Sequence, residues 1–156
     1  MQRILFVCLG NICRSPTAEG VFRVLAAKAG LRVQVDSAGT GGWHAGEPPH
    51  PPAVAAARKR GYDLSSLRAR QVRAGDFSGF DLILAMDRQN LADLQAMADG
   101  PARLRLLMHY APEGHPAEVP DPWYTGEFDR VLLMIEAASR GLIRELQRQT
   151  ADQPPQ

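Results

Sequence analysis

At 156 residues the chain suits one domain, which would bury about 68–70% of its unfolded surface and so needs no disulfide or structural metal to fold. Lys and Arg number 18 against 17 Asp and Glu, with no long charged run. That excludes an electrostatic nucleic-acid binder but leaves room for one local cationic pocket.

The apolar run Ile4–Leu9 is too short for a membrane span or a signal-peptide core. The expected location is therefore the cytoplasm, away from the membrane, where thiols stay reduced. The two cysteines, Cys8 and Cys13, then point to chemistry rather than to a structural clamp. Arg3–Cys8 reads as a strand buried on both faces, because its apolar residues run on without alternating. Leu9–Ser15 forms a loop in which Gly10 and Asn11 tolerate unusual backbone conformations. Ser15 before Pro16 predicts an N-cap with proline at the first helical position. Ala18, Val21, Phe22, Leu25, Ala26 and Ala29 then recur at helical spacing, and Gly30 closes the helix.

Val33–Val35 predicts a second strand that leads into Asp36-Ser37-Ala38-Gly39-Thr40. Gly41–Pro52 is a Gly/Pro-rich loop, followed by a short helix over Ala53–Arg60 that Gly61 stops. Phe80–Met86 is a third strand, Arg88–Ala98 a helix, and Leu104–Leu107 a fourth strand. A polar, proline-rich loop covers Ala111–Gly126. The last helix gathers Phe128, Val131, Leu132, Ile135, Leu142, Ile143 and Leu146 on one face. Residues 1–149 are expected to form the domain, and 150–156, with nothing to bury, a disordered tail. Alternating strands and helices predict a single doubly wound α/β domain with helices on both faces of a parallel sheet. Such sheets bind ligands at the carboxyl ends of their strands.

The loop after the first strand reads Cys8-Leu9-Gly10-Asn11-Ile12-Cys13-Arg14-Ser15-Pro16. A short loop wrapping onto a helix N-terminus aims several N–H groups at one spot, an anion nest reinforced by the helix dipole. Leu9, Gly10, Asn11, Ile12, Cys13 and Arg14 would form that cradle, with the Arg14 fork matching two phosphate oxygens. Cys8 would lie beneath it, where positive surroundings and the Ser15 hydroxyl favour the nucleophilic thiolate. The same residues also fit a buried structural cysteine, a capped helix and an incidental arginine. Their placement between a buried strand and a helix start favours the chemistry. No Gly-Lys-Ser/Thr ending marks a Walker loop. The two cysteines lack the further ligands of a zinc site, and His44, His50, His109 and His115 read as surface or loop residues. Neither metal nor cofactor is expected.

Cys8–Pro16 resembles the signature loop of the low-molecular-weight protein tyrosine phosphatases. The resemblance extends from Ile4 to about Leu146 through Asp36-Ser37-Ala38-Gly39-Thr40, Ala69-Arg70-Gln71, Phe80-Asp81 and Met86-Asp87. Asp121-Pro122-Trp123-Tyr124 resembles the family's general-acid loop, with Trp123 where many relatives carry tyrosine. The resemblance implies four parallel strands in the order 2-1-3-4 and metal-free hydrolysis of phosphotyrosine through a phosphocysteine. It implies Cys8 as nucleophile, Arg14 as clamp and Asp121 as acid, with Asn11, Ser15 and Ser37 holding the loop in shape. Taken alone, Asp121 before a proline reads as a turn residue. Ile12, Trp43, Trp123 and Tyr124 would form a slot deep enough for a phenyl ring, although loop aromatics also pack on cores. Cys13 has two readings, a redox partner for Cys8 or a small side chain filling the underside of the loop.

The implied partners are phosphotyrosine proteins, with a tyrosine kinase as a candidate among them, and the chain would be a monomer or weakly self-associating. Alternatives on the same fold are arsenate reductase, which needs a third relay cysteine absent here, and a protein-arginine phosphatase, which usually has threonine where Ile12 stands. A non-catalytic phosphotyrosine-binding module would not need nucleophile, clamp and acid together.

Overall fold

The computed structural model describes residues 1–152 and centres on strand β1 (Gln2–Cys8), whose Ile4, Leu5, Phe6 and Val7 are fully buried. Strands β2 (Val33–Gly39), β3 (Leu82–Ala85) and β4 (Arg103–Leu106) join it in one parallel sheet, in the order β2-β1-β3-β4. Side chains alternate across the sheet, so Ile4, Phe6, Leu82 and Leu84 face one core and Leu5, Val7, Ile83 and Ala85 the other. The first core takes Phe22 from helix α1 (Arg14–Lys28), with the Phe6 and Phe22 ring centroids 5.6 Å apart. Such a pair adds about 0.5–1.5 kcal/mol beyond its buried area. Helix α2 (Pro51–Lys59) covers the same face. The second core is closed by Phe77 of the one-turn helix α3 (Asp76–Gly79) and Leu94 of α4 (Arg88–Met97). A 3₁₀ turn (Leu107–Tyr110), the one-turn helix α5 (Pro122–Thr125) and the long helix α6 (Phe128–Ala151) complete the chain. Among the described residues, no helix is long and apolar enough to cross a membrane.

The register puts Cys8 beside Gly39 and Val7 beside Ala85, so three strands end together. From β1 the chain crosses to β2 on one side and then returns to β3 on the other. The resulting switch point lies at the carboxyl end of β1, where such sheets open a crevice. The loops after β1 and β3 therefore meet at Cys8.

Several boundaries differ from expectation for physical reasons. β2 runs on through Asp36–Gly39 because these residues keep pairing with Leu5–Cys8, although they carry no apolar signal. Helix α2 starts at Pro51, since proline is tolerated in a first turn. Helix α1 starts at Arg14, with Cys13 rather than Ser15 at its cap. The Ser15 hydroxyl is instead engaged beside Cys8. Helix α6 extends through Thr150, whose hydroxyl donates to the Leu146 carbonyl at 3.0 Å, so the expected tail begins helical. Its last residues, 153–156, lie outside the described residues.

Candidate active site

Leu9–Cys13 turns between β1 and α1, and Asn11 adopts φ 57, the left-handed region that asparagine enters more readily than most residues. This turn directs the Asn11 N–H at Cys8 Sγ, 3.3 Å away. Among the described residues, the N–H groups of Gly10, Ile12 and Cys13 make no hydrogen bond. They are free donors at the start of α1, the kind of N–H groups from which an anion nest is built. Gly39 closes the cradle from β2. A Cβ there would sit 2.7 Å from the Leu9 carbonyl oxygen and 3.2 Å from the Asn11 nitrogen, so only glycine permits this approach.

A line of buried polar groups lies under the loop. Cys8 Sγ is 3.0 Å from Ser15 Oγ. Asn11 Nδ2 donates to Ser15 Oγ at 2.8 Å and to Ser37 Oγ at 3.0 Å, while its Oδ1 accepts from the Arg70 N–H at 3.0 Å. Ser37 Oγ donates to Glu19 Oε1 at 2.7 Å, and Glu19 is paired with Arg23. Both polar side-chain atoms of Asn11 are thus satisfied, which stabilises a backbone conformation costing of order 1–3 kcal/mol.

Arg14 is 3% exposed, and its Nη1 donates to Asp87 Oδ2 at 2.6 Å and to the Val119 carbonyl at 3.0 Å. Its Nη2 lies 3.6 Å from Asp121 Oδ2. Burial works against the guanidinium charge, but Cys8, Asp87 and Asp121 more than offset it and hold the Arg14 pKa above the ordinary arginine range. Asp121 has two tasks. Its Oδ1 accepts from the Trp123 N–H at 3.0 Å, which is the turn role read from sequence, while Oδ2 faces Arg14. Burial, followed by the nearby Cys8 and Asp121 charges, pushes the Cys13 thiol up to about 12 despite an opposing effect from Arg14.

One pocket is lined by Cys8, Leu9, Gly10, Ile12, Cys13 and Arg14 at its base and by Trp43, Asp121, Trp123 and Tyr124 around its mouth. The structure therefore brings the three residues assigned to chemistry together with the three assigned rim aromatics. Trp43, Trp123 and Tyr124 are 72%, 52% and 80% exposed, so they do not serve as core packing. Gly41 leaves room for the Trp43 ring, since a Cβ there would overlap Cζ3 at 1.8 Å.

Four residues of the site carried no assigned role. His44 lines the pocket, and His50 packs on Trp123, with centroids 4.7 Å apart. Both were expected as unremarked loop or surface positions. Asp87 orients Arg14, and Glu19 ends the buried polar line. A one-dimensional sequence gives little sign of such long-range partners.

The family described as "Low molecular weight phosphotyrosine protein phosphatase" matches residues 3–152. The chain belongs to this family. It is 44% identical to the low molecular weight protein-tyrosine-phosphatase YfkJ of Bacillus subtilis, over 96% of this chain and 98% of that protein. The crystal structure of YfkJ superposes with a TM-score of 0.91, covering 96% of each chain. The Drosophila arginine phosphatase is also similar, with 31% identity, a TM-score of 0.88, and coverage of 98% of this chain and 100% of that one. The low molecular weight phosphatase fold, including its 2-1-3-4 strand order, is thus shared across these proteins, and the chain is an enzyme of this class.

Proposed function

We propose that this phosphatase hydrolyses phosphotyrosine in proteins, with Cys8 as nucleophile, Arg14 as phosphate clamp and Asp121 as general acid. The observation that carries the reading is a single pocket holding Cys8 at its base, Arg14 and Asp121 within 3.6 Å of each other, and aromatic rings at its mouth. In the first step the Cys8 thiolate attacks phosphorus, the bond to the phenolic oxygen breaks, and Asp121 gives that oxygen its proton. The Arg14 fork and the loop N–H groups hold the other phosphate oxygens as charge builds on them. In the second step water attacks phosphorus, Asp121 takes its proton, and the S–P bond breaks to restore the thiolate and release phosphate. Ser15 and the Asn11 N–H stabilise the sulfur as it leaves, and Asn11 and Ser37 keep the loop in register.

Ile12, Trp43, Trp123 and Tyr124 favour a flat aromatic ring. The substrates are tyrosine-phosphorylated proteins, a tyrosine kinase among them, met in the cytoplasm by a monomeric or weakly self-associating enzyme. A phosphoarginine substrate is the second reading, favoured by the similarity to the Drosophila arginine phosphatase. Ile12 in the pocket wall counts against it, because it offers no hydroxyl to a guanidinium. The test compares kcat/KM for phosphotyrosine, phosphoserine and phosphoarginine peptides in the presence of a chelator. The reading predicts a preference for phosphotyrosine of about 10²-fold or more, the cost of placing phosphorus an ångström out of reach. Preference for phosphoarginine would transfer the enzyme to the second reading.

A further inference from the structure

The segment that carries Asp121 is held mainly by its own hydrogen bonds. The Tyr124 N–H reaches the Asp121 carbonyl at 3.2 Å and the Gly126 N–H reaches the Pro122 carbonyl at 2.8 Å. Gly126 then turns the chain into α6 through a left-handed φ of 73. Trp123, which projects from this segment, meets His50 at 4.7 Å between centroids and an interplanar angle of 48°. The same imidazole meets Phe128, the first residue of α6, at 5.8 Å. His44 stands further from Trp123, at 6.5 Å, and its Nδ1 is engaged by Glu47. His50 therefore contacts a ring near each end of the acid segment.

The backbone of His50 is tied to the opposite half of the site. Its N–H donates to the Ile12 carbonyl in the nucleophile loop at 2.8 Å. Its own carbonyl accepts from the Ala53 and Val54 N–H groups at 2.9 and 3.1 Å, fixing it to the start of α2. One residue thus binds the loop beneath the phosphate through its main chain and the acid segment through its side chain.

We propose that His50 is a positioning residue for the general acid: its ring seats Trp123 and Phe128, and so sets where Asp121 stands relative to Cys8. The proposal rests on Asp121 being the acid. Side-chain substitution leaves the His50 N–H in place, so it should disturb the acid segment and spare the nucleophile loop. A small displacement of an acid matters most where the leaving group needs a full proton, because displacements near 1 Å cost about 10²-fold.

The experiment measures kcat/KM, which reports the step that expels the phenol, against leaving-group pKa for a series of aryl phosphates in the wild type, His50→Ala, His50→Phe and Asp121→Asn. Inactivation of Cys8 by iodoacetate reports on the nucleophile loop without any acid step. For His50→Ala the expected result is a loss of about 10–10²-fold on poor leaving groups, under about threefold on p-nitrophenyl phosphate, and an unchanged alkylation rate. His50→Phe, which keeps a ring, should restore the wild-type slope. A uniform loss across the series, or none, would reduce His50 to packing and overturn the proposal. Failure of His50→Phe to restore the slope would also overturn it, since ring contact would not be the means. An unchanged slope in Asp121→Asn would remove the acid reading itself. A changed slope there with an unchanged slope in His50→Ala removes this proposal alone.

Discussion

Asp87 joins Arg14 to helix α4: its Oδ2 accepts from Arg14 Nη1 at 2.6 Å, while its Oδ1 accepts from the Asn90 N–H at 2.8 Å. The loop after β1 and the loop after β3 are thereby locked together, and one edge of the guanidinium is fixed. Asp87→Asn keeps an acceptor for the helix cap but removes the charge that orients Arg14. It should lower kcat/KM by about 10²-fold while the protein stays folded. Arg14→Lys should be worse, because a point charge cannot replace a planar fork. Steady-state kinetics alongside circular dichroism checks both, and wild-type kcat/KM in a folded Asp87→Asn protein would contradict the orienting role.

Asp121→Asn should bind vanadate as the wild type does but lose rate, most on phenols that leave poorly. Acid catalysis is typically worth about 10²–10⁴-fold. Because Oδ1 already caps Trp123, the asparagine oxygen can keep the turn while the group facing Arg14 loses its proton chemistry. Equal leaving-group dependence in variant and wild type would leave Asp121 with the turn role alone.

What the sequence made legible was whatever is local or periodic. The apolar run of β1 announced a central strand, and Cys8 through Arg14 announced a cradle, since each signal lies within a few residues. Asp121 was readable only through resemblance, because its partner Arg14 is far away in the chain. Asp87, Glu19 and His50 meet their partners only after folding, so although Met86-Asp87 matched the family pattern, nothing local gave any of the three a task. Ser15 was misread as a cap because its capping preference is generic, whereas its actual partners are Cys8 and Asn11. Helices α3 and α5 are one turn long and carry no period to detect.

Gly39→Ala tests the closeness of β2 to the cradle. The added methyl group meets two carbonyl oxygens and the Asn11 nitrogen, all backbone atoms that cannot swing aside. We expect destabilisation of about 1–3 kcal/mol and a fall in kcat, because the displaced Asn11 N–H serves Cys8 Sγ. Gly79→Ala, with nothing near its Cβ, is the control and should stay within about 0.5 kcal/mol. Equal thermal stability of the two variants would mean the loop yields freely.

Cys13 supplies a pH prediction. Its thiol titrates at about 12 in the folded chain against an ordinary 9.0, and Tyr62, buried and hydrogen-bonded to Glu136, rises from 10.0 to about 12. Both groups are neutral when protonated, so the folded state holds its protons longer than the unfolded one. Their contribution is fully present below pH 9 and is lost as pH rises from about 9 through 12. Denaturant unfolding across that window should show falling stability, and Cys13→Ala should flatten part of the fall. Oxidation by peroxide should yield a Cys8–Cys13 bridge that forms faster as pH rises, since the Cys13 thiolate grows about tenfold per pH unit below 12. Peptide maps with overoxidised Cys8 and no bridge would leave Cys13 as packing.

If Cys8 is the nucleophile, the phosphoryl group passes through its sulfur. Rapid denaturation of the enzyme during turnover of a phosphotyrosine peptide, followed by mass spectrometry, locates the phosphoryl group directly. Phosphate is expected on Cys8 in the wild type, and in Cys8→Ser no phosphorylated residue and a loss of turnover by orders of magnitude in a folded protein. Phosphate on any other residue, or activity in Cys8→Ser within about tenfold of wild type, would contradict it.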